Sequence, residues 1–381
     1  MLAKLSCLER EVAELFPHRS IRRGTANVSE RATTAAHVPA RFEEQQTFFR
    51  QLREVAWFDL PNEQKIPIWA QPSSTPIFLI AHLFSGRRRT EDVHANLIRW
   101  AAKANIQVLV LSLDTANSET FGNLHIMSTT WSQLLLLYKE GRIAATIAGA
   151  PCETWSAARH RPLDPVQADQ AEGPIGPRPL RSAERIFGLA GLTLRELRQL
   201  SQGTHFYLQT TITIAWTICT GGLYISEHPA PPEDGQIASV WTAPWTMLLR
   251  QHPEVELHIM SQWKWGCETV KPTGLLAVRL PRFAHSMYSR QIPDAIRPTK
   301  VAIGRGEDGQ FKTSALKEYP SQFCAALAGA LIDELHSRHR SGRCRETVPP
   351  TPELVQWVTE AEAFCGQIRA DSKWLPDYQG G

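Results

Sequence analysis

The sequence has no Cys-x-x-C pair. Its seven cysteines, at 7, 152, 219, 267, 324, 344 and 365, are odd in number and widely spaced, which argues against a secreted disulfide framework or a zinc ribbon and for a reducing, intracellular compartment. An apolar run long enough to span a membrane is also missing; the nearest, 206–225, is interrupted by Thr, Gln and a Gly pair. Residues 1–16 alternate apolar and charged side chains instead of forming a signal peptide, so the expectation is a soluble protein. Charge of one sign is scarce: 41 Lys+Arg against 38 Asp+Glu leave +3, too balanced to mark a nucleic-acid binder by itself. No internal repeat is visible. His336, His339 and Cys344 supply three zinc donors, but a structural site wants a fourth, and no metal is expected.

What is present is a rhythm. The chain of 381 residues reads as one enlarged α/β domain with extensions. Residues 1–75 form a helical N-terminal extension, with helices near 3–15 and 41–56 around a polar stretch, 19–34, expected to be disordered. From residue 76, strands (77–84, 106–113, 143–148) alternate with amphipathic helices (91–104, 130–140), the signature of a parallel sheet. A Pro/Gly/Arg-rich insert fills 157–192. Thr193, with Glu196 three residues on, caps a helix reaching about 202; a helical stretch at 206–219 and strands at 222–226, 255–260 and 274–280 follow. A helix at 321–336 closes the domain at about 335. A basic, helical tail, 336–381, contains Arg338, Arg340, Arg343 and Arg345 and one more helix near 352–367. The fold class is therefore α/β, a doubly wound, mostly parallel sheet.

The most informative segment is Gly149-Ala150-Pro151-Cys152. The apolar run before it is a buried central strand, which delivers Cys152 to the carboxyl edge of the sheet, where such folds bind ligands. A cysteine there is either a nucleophile, if its surroundings activate it, or a small buried hydrophobe. Other strand ends carry polar clusters too: Phe84-Ser85-Gly86, then Asp114, then Glu227-His228-Pro229. All would converge on one crevice. A Cys/His hydrolase using Cys152 with His160 or His228 is conceivable, although no oxyanion element or third orienting group is visible.

In order and spacing these motifs resemble the C5-cytosine DNA methyltransferases, of the divergent type in phages and eukaryotic mobile elements. The resemblance covers roughly 76–335. His82-Leu83-Phe84-Ser85-Gly86 resembles the family's first cofactor loop, Asp114 its ribose-binding acid, and Gly122-Asn123-Leu124 its adenine contact. Pro151-Cys152 resembles the nucleophile loop and Glu227-His228-Pro229 the proton-donor loop. Gln262-Trp-Lys-Trp-Gly266 and Lys271-Pro272-Thr273 resemble the late strand region. The resemblance implies a sheet of the class I methyltransferase, Rossmann-like type and S-adenosylmethionine as cofactor, bound by Phe84, Ser85, Gly86, Asp114, Asn123 and Pro151. It implies DNA as partner, hence a nuclear location. Cys152 would add as thiolate to cytosine C6, its pKa lowered by helix N-termini or by Arg159. Glu227 would bind the exocyclic amine and protonate N3, a role that partial burial favours. Arg159, Arg161, Arg178 and Arg181 would contact phosphates of an extruded strand, Gln262 and Lys264 would contact nucleic acid, and Trp155 would either stack on the base or pack in the core.

Three departures stand against this pattern. Arg87-Arg88-Arg89 replaces a glycine-rich turn, Asn123 replaces an aspartate, and the segment 281–316 is much shorter than the family's recognition region. They motivate a second hypothesis, a catalytically inactive methyltransferase-fold module that binds nucleic acid or a partner.

Overall fold

The computed structural model describes residues 77–117, 123–124, 128–160, 178–299, 316–342 and 351–370, all within one compact unit, Ile66–Gly381. The helices expected near 3–15 and 41–56 lie outside them. The strands are β1 (Ile77–Leu83), β2 (Gln107–Leu113), β3 (Ile143–Gly149), β4 (Leu223–Pro229), β5 (Val255–Ser261) and β6 (Pro272–Val278). They form one sheet in the order β2-β1-β3-β4-β6-β5. β1 to β4 pair in parallel, whereas β6 runs antiparallel to both β4 and β5. The fold is Rossmann-like α/β, with one reversed strand, β6, inserted between β4 and β5.

The helices are α1 (Val93–Lys103), α2 (Thr129–Lys139), α3 (Leu194–Thr220), α4 (Pro244–Leu249), α5 (Phe283–Tyr288), α6 (Ser321–Arg340) and α7 (Pro352–Ala370). Alternation along each strand assigns them to two layers. Phe78, Ile80, Ile147, Ile225 and Leu275 face Leu97 of α1 and Phe323 and Leu331 of α6 in one buried cluster. The intervening positions face the other layer: the Tyr138 hydroxyl of α2 meets Thr146 at 2.7 Å, and Tyr224 meets Thr213 of α3 at 2.9 Å. Both faces are covered, so the parallel strands read as nearly continuous apolar runs.

The two helical stretches expected at 193–202 and 206–219 are a single helix of 27 residues, α3. The polar Ser201-Gln202-Gly203-Thr204 looks like an interruption, but Gly203 lies against the Thr154 side chain, where a Cβ would come within 2.2 Å of its hydroxyl. Tertiary packing overrides the weak local propensity there. Thr193 does cap α3: its hydroxyl accepts from the Glu196 amide and the Glu196 carboxylate accepts from the Thr193 amide. At the other end Arg279 donates to the carbonyls of Thr217 (3.1 Å) and Ile218 (2.9 Å) while pairing with Glu254 at 2.7 Å. A cation there also complements the helix dipole. Among the described residues no helix is long and apolar enough to cross a membrane.

Candidate active site

Because β1, β3 and β4 are adjacent and parallel, their carboxyl ends lie side by side. The reversed strand brings its first residues to the same edge, pairing Thr273 with Pro229, and the end of β5 follows, pairing Ser261 with Pro272. The edge therefore collects the loop 84–89, Asp114, Cys152, Glu227, Gln262 and Lys271.

At the end of β1 the backbone turns through Phe84 (φ 54°) and Gly86 (φ 65°), a left-handed conformation that only glycine adopts without cost. The Gly86 amide donates to Asp114 Oδ2 at 2.9 Å, and Oδ1 accepts from the Ala116 amide at 2.8 Å. Asn117 joins the same two loops, donating to the Gly86 carbonyl at 2.7 Å and to Ser85 Oγ at 3.1 Å. Phe84 packs edge-on against Phe206, with ring centroids 5.1 Å apart. Beside Gly86 there is open space among the described residues: apart from its chain neighbours, none has an atom within 4 Å of a Cβ built there.

The arginine triplet does not fill that space with Arg88 or Arg89. Arg88 turns back on Asp92, the N-cap of α1, at 2.6 Å. Arg89 reaches the turn before α6, pairing with Glu318 at 3.0 Å and donating to the Tyr319 carbonyl at 3.1 Å. His82 is buried, and desolvation drops its pKa to about 3. At neutral pH it is an uncharged ring.

Glu227 is buried at the end of β4. Its Oε2 accepts from the Tyr319 hydroxyl at 2.9 Å and its Oε1 from Gln262 Nε2 at 3.3 Å; Gln262 also donates to Thr273 Oγ1 at 3.0 Å. Burial raises the Glu227 pKa, and the opposing pull of Lys271 and of the Tyr319 bond is smaller. The Tyr319 hydroxyl also presses on β3: a Cβ on Gly149 would lie 2.3 Å from it.

Cys152 sits partly exposed in the next loop. Its thiol is pushed up to about 12, first by desolvation and then by the negative charges of Glu227 and Glu153, with Lys271 pulling the other way. This corrects the expected lowering by helix N-termini or Arg159. Arg159 is committed elsewhere, donating to the carbonyl of Glu153, to that of Arg178 at 2.9 Å and to Gln199 at 3.3 Å.

Two further expectations are corrected. Arg181 is no phosphate contact: it is 1 % exposed, lies 3.8 Å over the Trp155 ring, and donates to the Ile186 and Leu200 carbonyls and to Thr154 and Thr204. Burial lowers its pKa to about 9. Trp155, under it, is core, bonded to the Gly203 carbonyl at 3.2 Å. Gln262, fully buried on Glu227, is a positioning group and not a nucleic-acid contact. Arg178 is half-exposed and forked onto Glu196 at 2.7 and 2.9 Å. Lys264 lies 4.8 Å over the Tyr288 ring. Arg161 falls outside the described residues, as does Gly122 beside Asn123; the Asn123 carbonyl accepts from Ser128 at 2.5 Å.

Sequence reasoning named Lys271 only within a motif, without a role at the site, and gave Tyr319 none. Lys271 Nζ donates to the Leu316 carbonyl at 2.6 Å and lies 5.2 Å over the Tyr319 ring. Lys317 then pairs with Glu153 at 2.9 Å. The turn 316–319 is thus a strap bonded to the loop after β1 through Arg89, to the loop after β3 through Glu153, and to the end of β4 through Glu227. The Lys271-Pro272-Thr273 motif was visible, but nothing local shows that it meets Tyr319.

A groove of about 440 Å³ lies between α5 and α6, lined by residues such as Arg282, His285 and Asp333. Its lining includes none of Gly86, Asp114, Cys152 and Glu227. No protein-family model matches this sequence and no curated protein is significantly similar to it, so the functional argument rests on the geometry of the strand ends.

Proposed function

We propose that the chain is an S-adenosylmethionine-dependent methyltransferase acting on C5 of cytosine in DNA through covalent catalysis by Cys152. The observation that carries this reading is the convergence of a cysteine and a buried carboxyl, Glu227, whose pKa burial raises, from adjacent strand ends, beside a β1 turn that is braced by Asp114 and open at Gly86. Such a pair suits addition to an electron-poor ring: the thiolate attacks one carbon while the carboxyl protonates a ring nitrogen.

The residues present fit the cofactor. Phe84, Ser85, Gly86, Asp114, Asn123 and Pro151 would hold it, with Asp114 offering its remaining lone pairs to ribose hydroxyls as an acid at this strand end does. The cofactor supplies an electrophilic methyl group. Cys152 adds to C6, Glu227 hydrogen-bonds the amine and gives its proton to N3, and Gln262 and Tyr319 fix the carboxyl by both oxygens. Loss of the C5 proton then expels Cys152. The cytosine reaches the pocket flipped out or from a single strand, and a DNA substrate implies a nuclear site of action.

A second reading, an inactive nucleic-acid or partner-binding module, is favoured by the strap. Tyr319 already engages Glu227, and the nucleophile's pKa is high. Labelled cofactor with unmethylated, hemimethylated and single-stranded DNA separates the two. Transfer by the wild type that is abolished in Cys152→Ser is expected; no transfer to any of the three removes the enzyme, and calorimetric absence of cofactor binding then favours the module.

A further inference from the structure

The arginine triplet after Gly86 has no part in the chemistry proposed above, yet one member of it reaches the acid through a chain of contacts. The loop that carries the triplet is pinned at its backbone: the Gly86 amide donates to Asp114 (2.9 Å), the Arg88 amide to Asn117 Oδ1 (3.1 Å) and the Arg89 amide to Asp92 Oδ2 (2.9 Å). From this base the Arg89 guanidinium takes hold of the strap twice. Nη1 pairs with Glu318 Oε2 at 3.0 Å, and Nη2 donates to the Tyr319 carbonyl at 3.1 Å. That carbonyl also accepts a long bond, 3.8 Å, from the Cys324 thiol. Tyr319 in turn donates its hydroxyl to Glu227 Oε2 at 2.9 Å, with its ring edge-on to Phe323 at 5.5 Å and Lys271 Nζ 5.2 Å from the ring centre. The other described ties of the strap act upstream, Lys271 at the Leu316 carbonyl and Glu153 at Lys317. Arg89 grips the residue that touches Glu227.

We propose that Arg89 is a positioning residue for Glu227: its guanidinium ties the strap to the loop after β1 and so keeps the Tyr319 hydroxyl on the carboxyl. The two oxygens of Glu227 are held unequally. Oε1 is held by Gln262, which is fully buried and bonded to Thr273 as well. Oε2 is held from a turn whose neighbouring side chains, Lys317 and Glu318, are exposed, so the Tyr319 side is the one that gives way. A planar fork suits the task, because one guanidinium meets a carboxylate and a carbonyl together, which a single ammonium does not. The loop that the functional reading assigns to the cofactor and the carboxyl that it assigns to the base are then joined through one side chain. That consequence rests on the functional reading, whereas the contacts do not.

The test is carbodiimide-activated coupling of glycine ethyl ester to the carboxyl groups of the full chain. Its rate at Glu227 is read by mass spectrometry as a ratio to the rate at Glu334, a carboxyl about as buried, 6 % exposed against 8 %, and paired with Arg338. General loosening raises both rates and leaves the ratio unchanged; release of the strap raises Glu227 alone. Arg89→Met is expected to raise the ratio about threefold to fivefold, the upper range for a partly exposed ion pair. Arg89→Lys keeps the charge without the fork and is expected to fall between that variant and the wild type. Glu318→Gln gives a smaller rise by itself and none on top of Arg89→Met, since both remove the same pair. Arg87→Met is the control: it removes an equal charge from an exposed side chain with no contact to the strap among the described residues, and it leaves the ratio at the wild-type value. A ratio unmoved by Arg89→Met, or moved equally by Arg87→Met, overturns the inference. The readout uses neither nucleic acid nor cofactor. A raised ratio in a chain that transfers no methyl group keeps Arg89 in its role and removes the enzyme, whereas methyl transfer with an unmoved ratio does the reverse.

Discussion

At position 149 one hydrogen atom decides the shape of the site. The Tyr319 hydroxyl occupies the place a side chain would take, and it is there because Glu227 Oε2 accepts its proton. Gly149→Ala should therefore cost about 1–3 kcal/mol, the usual range for overpacking a filled interior, measured by urea unfolding. Tyr319→Phe should recover part of it, since the next atom, Cζ, lies 3.3 Å from the new Cβ. Equal losses in the single and double variants would show that the two residues do not meet. Arg181 teaches the converse lesson about single residues. An arginine in a Pro/Gly-rich segment reads as a surface cation, and only the tertiary placement of Thr154, Leu200 and Thr204 shows its guanidinium turned inward.

At the scale of elements, the strand–helix alternation up to residue 149 was legible, because apolar runs of period two and amphipathic helices leave a direct trace. The N-terminus of α3 was legible as well. Thr193 and Glu196 satisfy two otherwise orphaned amides, and the Glu196 carboxylate is further tied to Arg178. Thr193→Ala should lower stability by about 1 kcal/mol, seen as a lower urea midpoint with an unchanged slope; a shift within error would mean that the first turn of α3 is frayed. The continuity of α3 through Gly203 was not legible. Its reason is contact with Thr154, 49 residues earlier in the chain. The strap at 316–319 was hidden for the same reason: its partners, Arg89, Glu153, Glu227 and Lys271, come from four separate stretches of the chain.

For the whole molecule, the buried histidines set a pH response. His82 and His228 both titrate near 3 in the folded chain, chiefly through desolvation, against about 6.5 when unfolded. The unfolded state therefore binds more protons between those values. Stability is full above about pH 6.5 and falls as the pH drops toward 3, beginning before carboxylates protonate. Thermal melts from about pH 8 to 5 should show a decline that starts near 6.5, and His82→Gln should make it shallower. A melting temperature constant down to about pH 5 would show that these rings are hydrated in solution.

Residue types and their period determined, without any coordinates, that strands alternate with helices, that Asp114, Cys152 and Glu227 fall at strand ends, and that β1 turns at Gly86. Such features depend on neighbours in the chain. Tertiary structure alone decided that β6 reverses and inserts between β4 and β5, so that Lys271 arrives at the edge holding Glu227. It decided too that Arg89 binds a strap, that Gln262 steadies a carboxyl, and that the Cys152 thiol is raised instead of lowered. Desolvation and Coulomb interaction depend on distance in space, and that distance is set by packing, not by separation along the chain.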